Sequence, residues 1–180
     1  MFKTNQTQPW IHNKEANYIK KVVKKTFLTE SNETKKFELK IKKFCKSKYS
    51  ISISNWTVGL FACLKVLNIK KGDEVIVPNL TFIATVNSVL MAGATPVLCD
   101  VGKGNFNIDI KKVKRLINAK TKAIIPVHLY GHCCEMDVLK RICKKNKIFL
   151  VEDAAQALGA TFKNKNLGNI GDMGGFSFYG

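Results

Sequence analysis

Residues 74–101 read EVIVPNLTFIATVNSVLMAGATPVLCDV and contain a strand-like run, a helix-like run and a second strand-like run. Both strand-like runs are nearly continuous in apolar side chains, which is typical of parallel strands covered on both faces. A turn at Lys71-Gly72-Asp73 precedes the first run, and Gly93 follows the helical run, where a left-handed C-cap favours glycine. The stretch therefore predicts one βαβ unit.

The same alternation continues on both sides of this unit. The additional strand-like runs are KYSISIS (48–54), KAIIPVHL (122–129) and IFLVED (148–153). The additional helix-like runs are VGLFACLKVL (58–67), IDIKKVKRLI (108–117) and MDVLKRICKKN (136–146). Repeated βαβ units predict an α/β fold in which a mostly parallel central sheet lies between two layers of helices.

The two ends of the chain have a different texture. Residues 1–47 look helical and peripheral, with Phe37, Ile41 and Phe44 at helical spacing among lysines. We therefore divide the chain into a helical lead-in over residues 1–47 and an α/β domain over residues 48–180. The tail, KNKNLGNIGDMGGFSFYG, is glycine-rich and then strand-like, and it stops without a closing helix.

Composition narrows the function classes. The 180 residues carry a formal net charge of +17, which invites a nucleic-acid-binding interpretation. However, Arg115 and Arg141 are the only arginines, and the lysines are spread along the chain rather than gathered into one arm. The charge therefore favours solvated helix faces, and we expect no nucleic-acid partner.

Cysteine usage and the N-terminal sequence favour a reducing cytoplasm. The N-terminal MFKTNQTQPW is polar, and no run approaches the roughly 20 apolar residues of a membrane span. The six cysteines include the adjacent Cys133 and Cys134 but no C-x-x-C pair. We expect free thiols, no metal site and no membrane partner.

Candidate binding residues follow the strand-like runs, because open parallel sheets bind ligands at the carboxyl ends of their strands. Ser54-Asn55-Trp56-Thr57-Val58-Gly59 opens a helix, where backbone N–H groups and the helix dipole suit a phosphate. The alternative is that Ser54 or Asn55 is an ordinary N-cap.

A second candidate is Asp153, which ends an apolar run. A buried carboxylate needs a cationic partner, and a protonated heterocyclic nitrogen would serve. The alternative is that Asp153 caps a following helix. Phe82 could cover a planar ring or belong to the core, and Ser177 could donate to a phosphate or alternate with two buried aromatic residues.

Several common motifs are absent from the sequence. It contains no G-x-G-x-x-G, G-x-x-x-x-G-K-[ST], H-E-x-x-H or G-x-S-x-G. Nicotinamide binding, P-loop chemistry, zinc proteolysis and hydrolase elbows are therefore unsupported. His128 and His132 have no third ligand at a suitable spacing, so we interpret them as local hydrogen-bonding residues.

Three segments in order, 72–101, 121–132 and 151–180, resemble the blocks of the DegT/DnrJ/EryC1/StrS family. The resemblance is colinear from about residue 10 to the last residue. It implies a fold type I aminotransferase large domain that uses pyridoxal 5'-phosphate (PLP) to aminate nucleotide-linked keto-sugars. The tail is most similar to perosamine-synthetase-like members, which aminate C4 of a GDP-linked 4-keto-6-deoxy sugar.

The resemblance also implies roles for the residues around the cofactor ring. Asp153 would pair with the pyridinium nitrogen and keep it protonated, so that the ring can act as an electron sink. Gln156 would hydrogen-bond the ring hydroxyl, and Phe82 would stack on the ring.

For the cofactor phosphate, the resemblance implies backbone N–H donation by Thr57 and Val58 and hydroxyl donation by Ser177. The sequence departs from the family pattern at Trp56, where members have a small residue. The geometry of the phosphate loop therefore does not follow from the resemblance.

The family's Schiff-base lysine follows the FSF run, at about the second position beyond Gly180. We therefore expect no catalytic residue within these 180 residues, no C-terminal small domain and no transaminase turnover by the chain alone. The parent enzyme would use glutamate as amino donor in glycan precursor synthesis and would form a homodimer. The alternative is an inactive truncated homologue that acts as a binding or dimerising module.

Overall fold

The computed structural model describes residues 11–25 and 31–178. Helices within these residues are α1 (Asn13–Val23), α2 (Asn32–Cys45), α3 (Trp56–Val66), α4 (Ala84–Met91), α5 (Ile110–Leu116) and α6 (Met136–Asn146). Strands within them are β1 (Glu74–Pro78), β2 (Thr95–Cys99), β3 (Thr121–Ile124), β4 (Phe149–Asp153), β5 (Thr161–Phe162), β6 (Lys165–Asn166) and β7 (Met173–Gly175).

Five strands form one parallel sheet in the order β2-β1-β3-β4-β7, and β5 and β6 form a separate antiparallel hairpin. The helices α4, α5 and α6 connect successive parallel strands, as the sequence predicts. The chain passes from β1 to β2 on one side and then returns to β3 on the other. A sheet with this reversal opens a crevice at the carboxyl ends of its strands.

Side chains of the central strands alternate between two buried clusters, because successive strand residues point to opposite faces. Ile76, Ile124 and Leu150 lie in one cluster with residues of α5 and α6. Val75 and Val77 lie in the other with residues of α3 and α4. The predicted arrangement of a mostly parallel sheet between two helical layers is confirmed.

Two predicted strands are wrong. Residues 48–54, KYSISIS, form no strand, and the Ser52 N–H donates instead to Oε1 of Glu38 in α2 at 2.7 Å. Residues 176–178, FSF, lie beyond β7 because the neighbouring β4 ends at Asp153 and the chain then turns away. A strand-like composition does not form a strand where no neighbouring strand supplies its hydrogen bonds.

The predicted helical lead-in contains α1 and α2, while residues 1–10 and 26–30 lie outside the described part. The end of α2 is bonded to the glycine-rich tail: Asn166 Nδ2 donates to the Phe44 carbonyl at 2.7 Å, and Asn169 Nδ2 to the Cys45 carbonyl at 3.0 Å. Phe37 also meets Phe178 edge to face, with ring centroids 5.1 Å apart. The lead-in is therefore joined to the far end of the described chain.

Glu152 connects β4 to the loop that precedes β7. Its fully buried carboxylate accepts hydrogen bonds from the N–H groups of Gly168 at 2.9 Å, Ile170 at 2.5 Å and Gly171 at 2.6 Å. The fourth donor is His128 Nε2 at 3.1 Å. Because His128 Nδ1 accepts from the Cys134 N–H at 3.3 Å, the ring proton lies on Nε2. The prediction that His128 is a local hydrogen-bonding residue fits this geometry.

Replacing Glu152 with Gln is expected to lower the free energy of unfolding by about 3 kcal/mol. The glutamine amide replaces one acceptor oxygen with an NH2 group, whose hydrogens would face N–H donors, and it removes the negative charge. Urea unfolding of the full chain measures the change. The control is Glu135→Gln, which alters an exposed residue that makes no side-chain cap at the start of α6 and should shift stability by less than about 0.5 kcal/mol. Equal losses in the two variants would contradict this role.

Candidate functional site

The candidate site lies at the carboxyl edge of the sheet, where β1, β4 and β7 end. Asp153 is the last residue of β4 and pairs in register with Gly175, the last residue of β7. Its backbone is fixed on the other side as well, because its N–H donates to the Pro126 carbonyl at 2.9 Å and its carbonyl accepts from the His128 N–H at 3.0 Å. Strand pairing therefore fixes where the Asp153 side chain leaves the sheet.

The Asp153 carboxylate is buried and is held by three donors. Oδ1 accepts from Trp56 Nε1 at 2.9 Å and from the Ala155 N–H at 3.3 Å, and Oδ2 accepts from Thr85 Oγ1 at 2.7 Å. Asp153 is 5% exposed, and it takes part in none of the ion pairs found among the described residues. Neutral donors therefore surround a carboxylate whose charge has no cationic partner in this part of the chain.

Asp153 does not cap a helix, which was the alternative interpretation. The residues that follow β4, 154–160, form turns. The contact of Oδ1 with the Ala155 N–H is a local bond at the first of these turns.

The start of α3 shows an ordinary side-chain cap. Asn55 is the N-cap, and its Oδ1 accepts from the Val58 N–H at 3.0 Å, while the Gly59 N–H makes the first helical bond, to the Asn55 carbonyl, at 3.1 Å. Thr57 lies between them, and no partner for its N–H exists among the described residues. The predicted phosphate donors thus lie at a helix N-terminus, with the Val58 N–H already occupied by Asn55.

Trp56 lies across the space between α3 and β7. A Cβ built on Gly175 would lie 2.2 Å from Cζ3 of the indole, and a Cβ built on Gly59 would lie 2.5 Å from its Cε3. The ring therefore fills a slot that exists because both positions are glycine. Its N–H reaches the Asp153 carboxylate from this slot.

Phe82, Gln156 and Ser177 lie around the same edge. Phe82 follows β1 and is 75% exposed, so the alternative that it belongs to the core is wrong. Gln156 Oε1 accepts from the Tyr130 N–H at 2.8 Å, and the Ser177 N–H donates to the Ala155 carbonyl at 3.3 Å. The alternative that Ser177 alternates with two buried aromatic residues is also wrong, because Phe178 is 53% exposed.

Two contacts of Asp153 were not foreseen from the sequence. Thr85 follows Thr81 by four residues and the two hydroxyl groups are 2.9 Å apart, but nothing in that spacing indicates an acid 68 residues away. Trp56 gave a partial signal, because a half-buried indole N–H usually finds an acceptor. The identity of that acceptor came only from the fold.

The cysteines offer no reactive thiol. Burial raises the pKa of Cys134 and of Cys143 to about 12, so both remain protonated near neutral pH. No group of three or more metal-ligating side chains is present in the described ranges. None of the helices within those ranges is long and apolar enough to cross a membrane.

The chain has a parallel α/β sheet with a buried acid at the end of β4 and a helix N-terminus beside it, and the solved structures to which it is similar are aminotransferases of fold type I. Residues 9–180 match the model of the DegT/DnrJ/EryC1/StrS aminotransferase family. The chain belongs to that family.

Relatives and solved structures agree with this assignment. The chain is 40% identical to GDP-perosamine synthase of Caulobacter vibrioides, over 96% of this chain and 47% of that protein. It is 42% identical to dTDP-3-amino-3,6-dideoxy-alpha-D-galactopyranose transaminase of Aneurinibacillus thermoaerophilus, over 81% of this chain and 40% of that protein. The chain spans less than half the length of these relatives.

Among solved structures, the chain is similar to a proposed sugar aminotransferase of Streptococcus pneumoniae in its PLP form. The TM-score is 0.95 at 30% identity, covering 99% of this chain and 49% of that chain. The pyridoxamine phosphate (PMP) form gives the same values.

Removing the Thr85 hydroxyl tests how Asp153 is held. Thr85→Val should lower the free energy of unfolding by about 1–3 kcal/mol, because the buried Oδ2 of Asp153 loses its donor at 2.7 Å. Thr85→Ser keeps a hydroxyl group and should therefore retain most of the stability of the parent chain. Thr161→Val, at an exposed position of β5, is the control for the Thr-to-Val change. Denaturant unfolding measures all three, and a Thr85→Val loss no larger than that of the control would contradict the contact.

Proposed function

We propose that this chain provides the cofactor-binding part of an enzyme that transfers an amino group from glutamate to a nucleotide-linked keto-sugar, with PLP as cofactor. The observation that carries the proposal is the Asp153 carboxylate, which is 5% exposed, fixed by strand pairing and without a cationic partner in the described residues. A buried carboxylate surrounded only by neutral donors favours a cation that brings its own N–H.

The residues present fit such a cofactor. Asp153 would hold a proton on the ring nitrogen, and the exposed face of Phe82 is open for stacking. Gln156 would use its side-chain amide toward the ring hydroxyl. When bound, the cofactor supplies an electron sink for the reacting carbon, while these side chains orient the ring and shield it from water.

The phosphate would lie at the start of α3. Thr57 and Val58 lie in the first turn of α3, where their backbone N–H groups and the positive end of the helix dipole suit a phosphate. Ser177 would add a hydroxyl from the chain after β7. Binding there requires the Val58 N–H to exchange the Asn55 oxygen for a phosphate oxygen.

The substrate class rests on the relatives, whose names include GDP-perosamine synthase and a dTDP-amino-sugar transaminase. By extension of those activities to this chain, we propose that the reaction belongs to the synthesis of glycan precursors in the cytoplasm. The natural gene product that carries this sequence should then form more than one equivalent of 2-oxoglutarate per bound cofactor from glutamate only when a nucleotide-linked keto-sugar is present. Mass spectrometry of the sugar product identifies the aminated carbon, and failure with 4-keto-6-deoxy and 3-keto sugars alike would contradict the proposal.

A homodimer belongs to the same proposal. Large apolar side chains remain exposed beside the site at Val58, Leu80, Phe82 and Ile83. Pairing of two copies would cover such a group of side chains. The alternative of an inactive module that docks onto a full-length homologue uses the same surface, and sedimentation of the chain with and without such a homologue separates the two.

Binding of PMP to the full chain tests the role of Asp153. We expect Asp153→Asn to weaken the affinity by about 10- to 100-fold, because the neutral amide removes a charge-assisted hydrogen bond to the ring nitrogen. Asp137→Asn is the matched control, since it removes the same charge from an exposed residue in the first turn of α6. Isothermal titration calorimetry gives both affinities, and unfolding curves confirm that each variant is folded. Equal affinities of the Asp153→Asn and Asp137→Asn variants would contradict cofactor binding at this carboxylate.

A further inference from the structure

The Trp56 indole is hydrogen-bonded to Asp153, the same carboxylate that would bind the cofactor ring in the proposed function. Its Nε1–H donates to Asp153 Oδ1 at 2.9 Å. A protonated ring nitrogen would also direct an aromatic N–H at this buried acid, so the indole and the cofactor ring would compete for the same acceptor. The indole therefore satisfies Asp153 from within the chain.

The remaining acceptor capacity of Asp153 is small. Oδ1 already accepts from Trp56 and from the Ala155 N–H at 3.3 Å, and Oδ2 accepts from the buried hydroxyl of Thr85 at 2.7 Å. A carboxylate oxygen accepts about two hydrogen bonds, so Oδ1 is fully used and only one acceptor site, on Oδ2, remains. A second aromatic N–H can reach Oδ1 only if the indole leaves.

The slot that holds the indole is built from two glycines on different elements. Gly59 lies in the first turns of α3, and Gly175 ends β7. A Cβ at Gly175 would lie within 2.2–2.7 Å of three indole carbons, and a Cβ at Gly59 would lie 2.5 Å and 2.8 Å from two of them. Contacts this short do not occur in proteins, so the position of the indole depends on both residues being glycine.

We propose that Trp56 is an internal competitor for Asp153: the indole holds the carboxylate in a closed state and must swing out of the Gly59–Gly175 slot before a protonated ring nitrogen can bind at Oδ1. This inference rests on the proposed function, because it concerns the same carboxylate. The apparent affinity for the cofactor is reduced by the fraction of molecules in which the indole is bonded to Asp153. Trp56 is then a residue that sets cofactor affinity without touching the reacting atoms.

Affinity for PMP is the first test. Trp56→Phe keeps an aromatic ring but removes the N–H, and it should bind PMP about tenfold more tightly than the parent chain. Trp56→Ala should bind at least as tightly as Trp56→Phe. Tyr49→Phe, which removes the polar hydrogen of a tyrosine that is 72% exposed, is the control and should leave the affinity unchanged.

Gly175→Ala offers a second route to the same result, because it retains Trp56 but fills its slot. It should also raise the affinity for PMP. Unfolding curves accompany each variant, and the Trp56 variants give the decision if Gly175→Ala does not fold.

The indole N–H reports on the contact without any measurement of activity. The chain has two tryptophans, so Trp10→Phe leaves one indole signal in a ¹H–¹⁵N spectrum, that of Trp56. Asp153→Asn should shift this signal and speed its exchange with water. Saturating PMP should do the same, because the indole has then left the carboxylate.

The outcomes separate this inference from the proposed function. The inference is overturned if Trp56→Phe and Trp56→Ala bind PMP no more tightly than the parent, including the case in which none of them binds. It is also overturned if the Trp56 signal is unchanged at saturation. The proposed function fails instead if Asp153→Asn, made in the Trp56→Ala chain, leaves PMP affinity unaltered.

Discussion

The structure around the candidate site depends on one physical constraint: the charge of Asp153 must be stabilised at the end of a buried strand. Removing a carboxylate from water costs several kcal/mol unless donors replace the lost solvent. Here they come from the start of α3 through Trp56, from α4 through Thr85 and from the turn after β4 through Ala155. Because the three donors belong to separate elements, the carboxylate can be satisfied only after both α3 and α4 have packed on the same face of the sheet, where their residues share a cluster with Val151 of β4.

Glu152 and Asp153 are adjacent acids with opposite roles, and strand geometry separates them. Successive side chains of β4 point to opposite faces, so Glu152 meets His128 and the loop before β7, whereas Asp153 meets α3 and α4. The donors to Glu152 include three backbone N–H groups that cannot leave without unfolding the loop. The strongest donors to Asp153 are side chains, which can rotate. An acid bonded by backbone stabilises the fold, and an acid bonded by movable side chains can exchange those bonds for a ligand.

Much of this fold could be predicted from the sequence, because hydrophobic periodicity reports the environment of each run. The apolar runs at 74–78, 95–99 and 149–153 are strands, and the amphipathic run at 136–146 is a helix. The same reasoning failed for KYSISIS and for FSF, where strand-like residues have no neighbouring strand to pair with. Pairing is a long-range property that local composition does not contain. For the site, position after a strand correctly singled out Asp153 as a buried acid, but it left the N-cap role of Asn55 open and gave no indication of Thr85.

Trp56 shows why a single unusual residue has to be interpreted together with its distant neighbours. In the sequence it is a bulky substitution in a loop that resembles a phosphate-binding loop, and on that basis it would obstruct the loop. In the structure its bulk is directed away into a slot that requires glycine at position 59, three residues on, and at position 175, which lies more than a hundred residues along the chain. Gly175 is also the residue that pairs with Asp153 in the sheet. The pairing of Asp153 with Gly175 thus fixes the carboxylate, and the missing side chain of Gly175 leaves the space from which the indole reaches it. Trp56, Gly59, Gly175 and Asp153 therefore depend on one another.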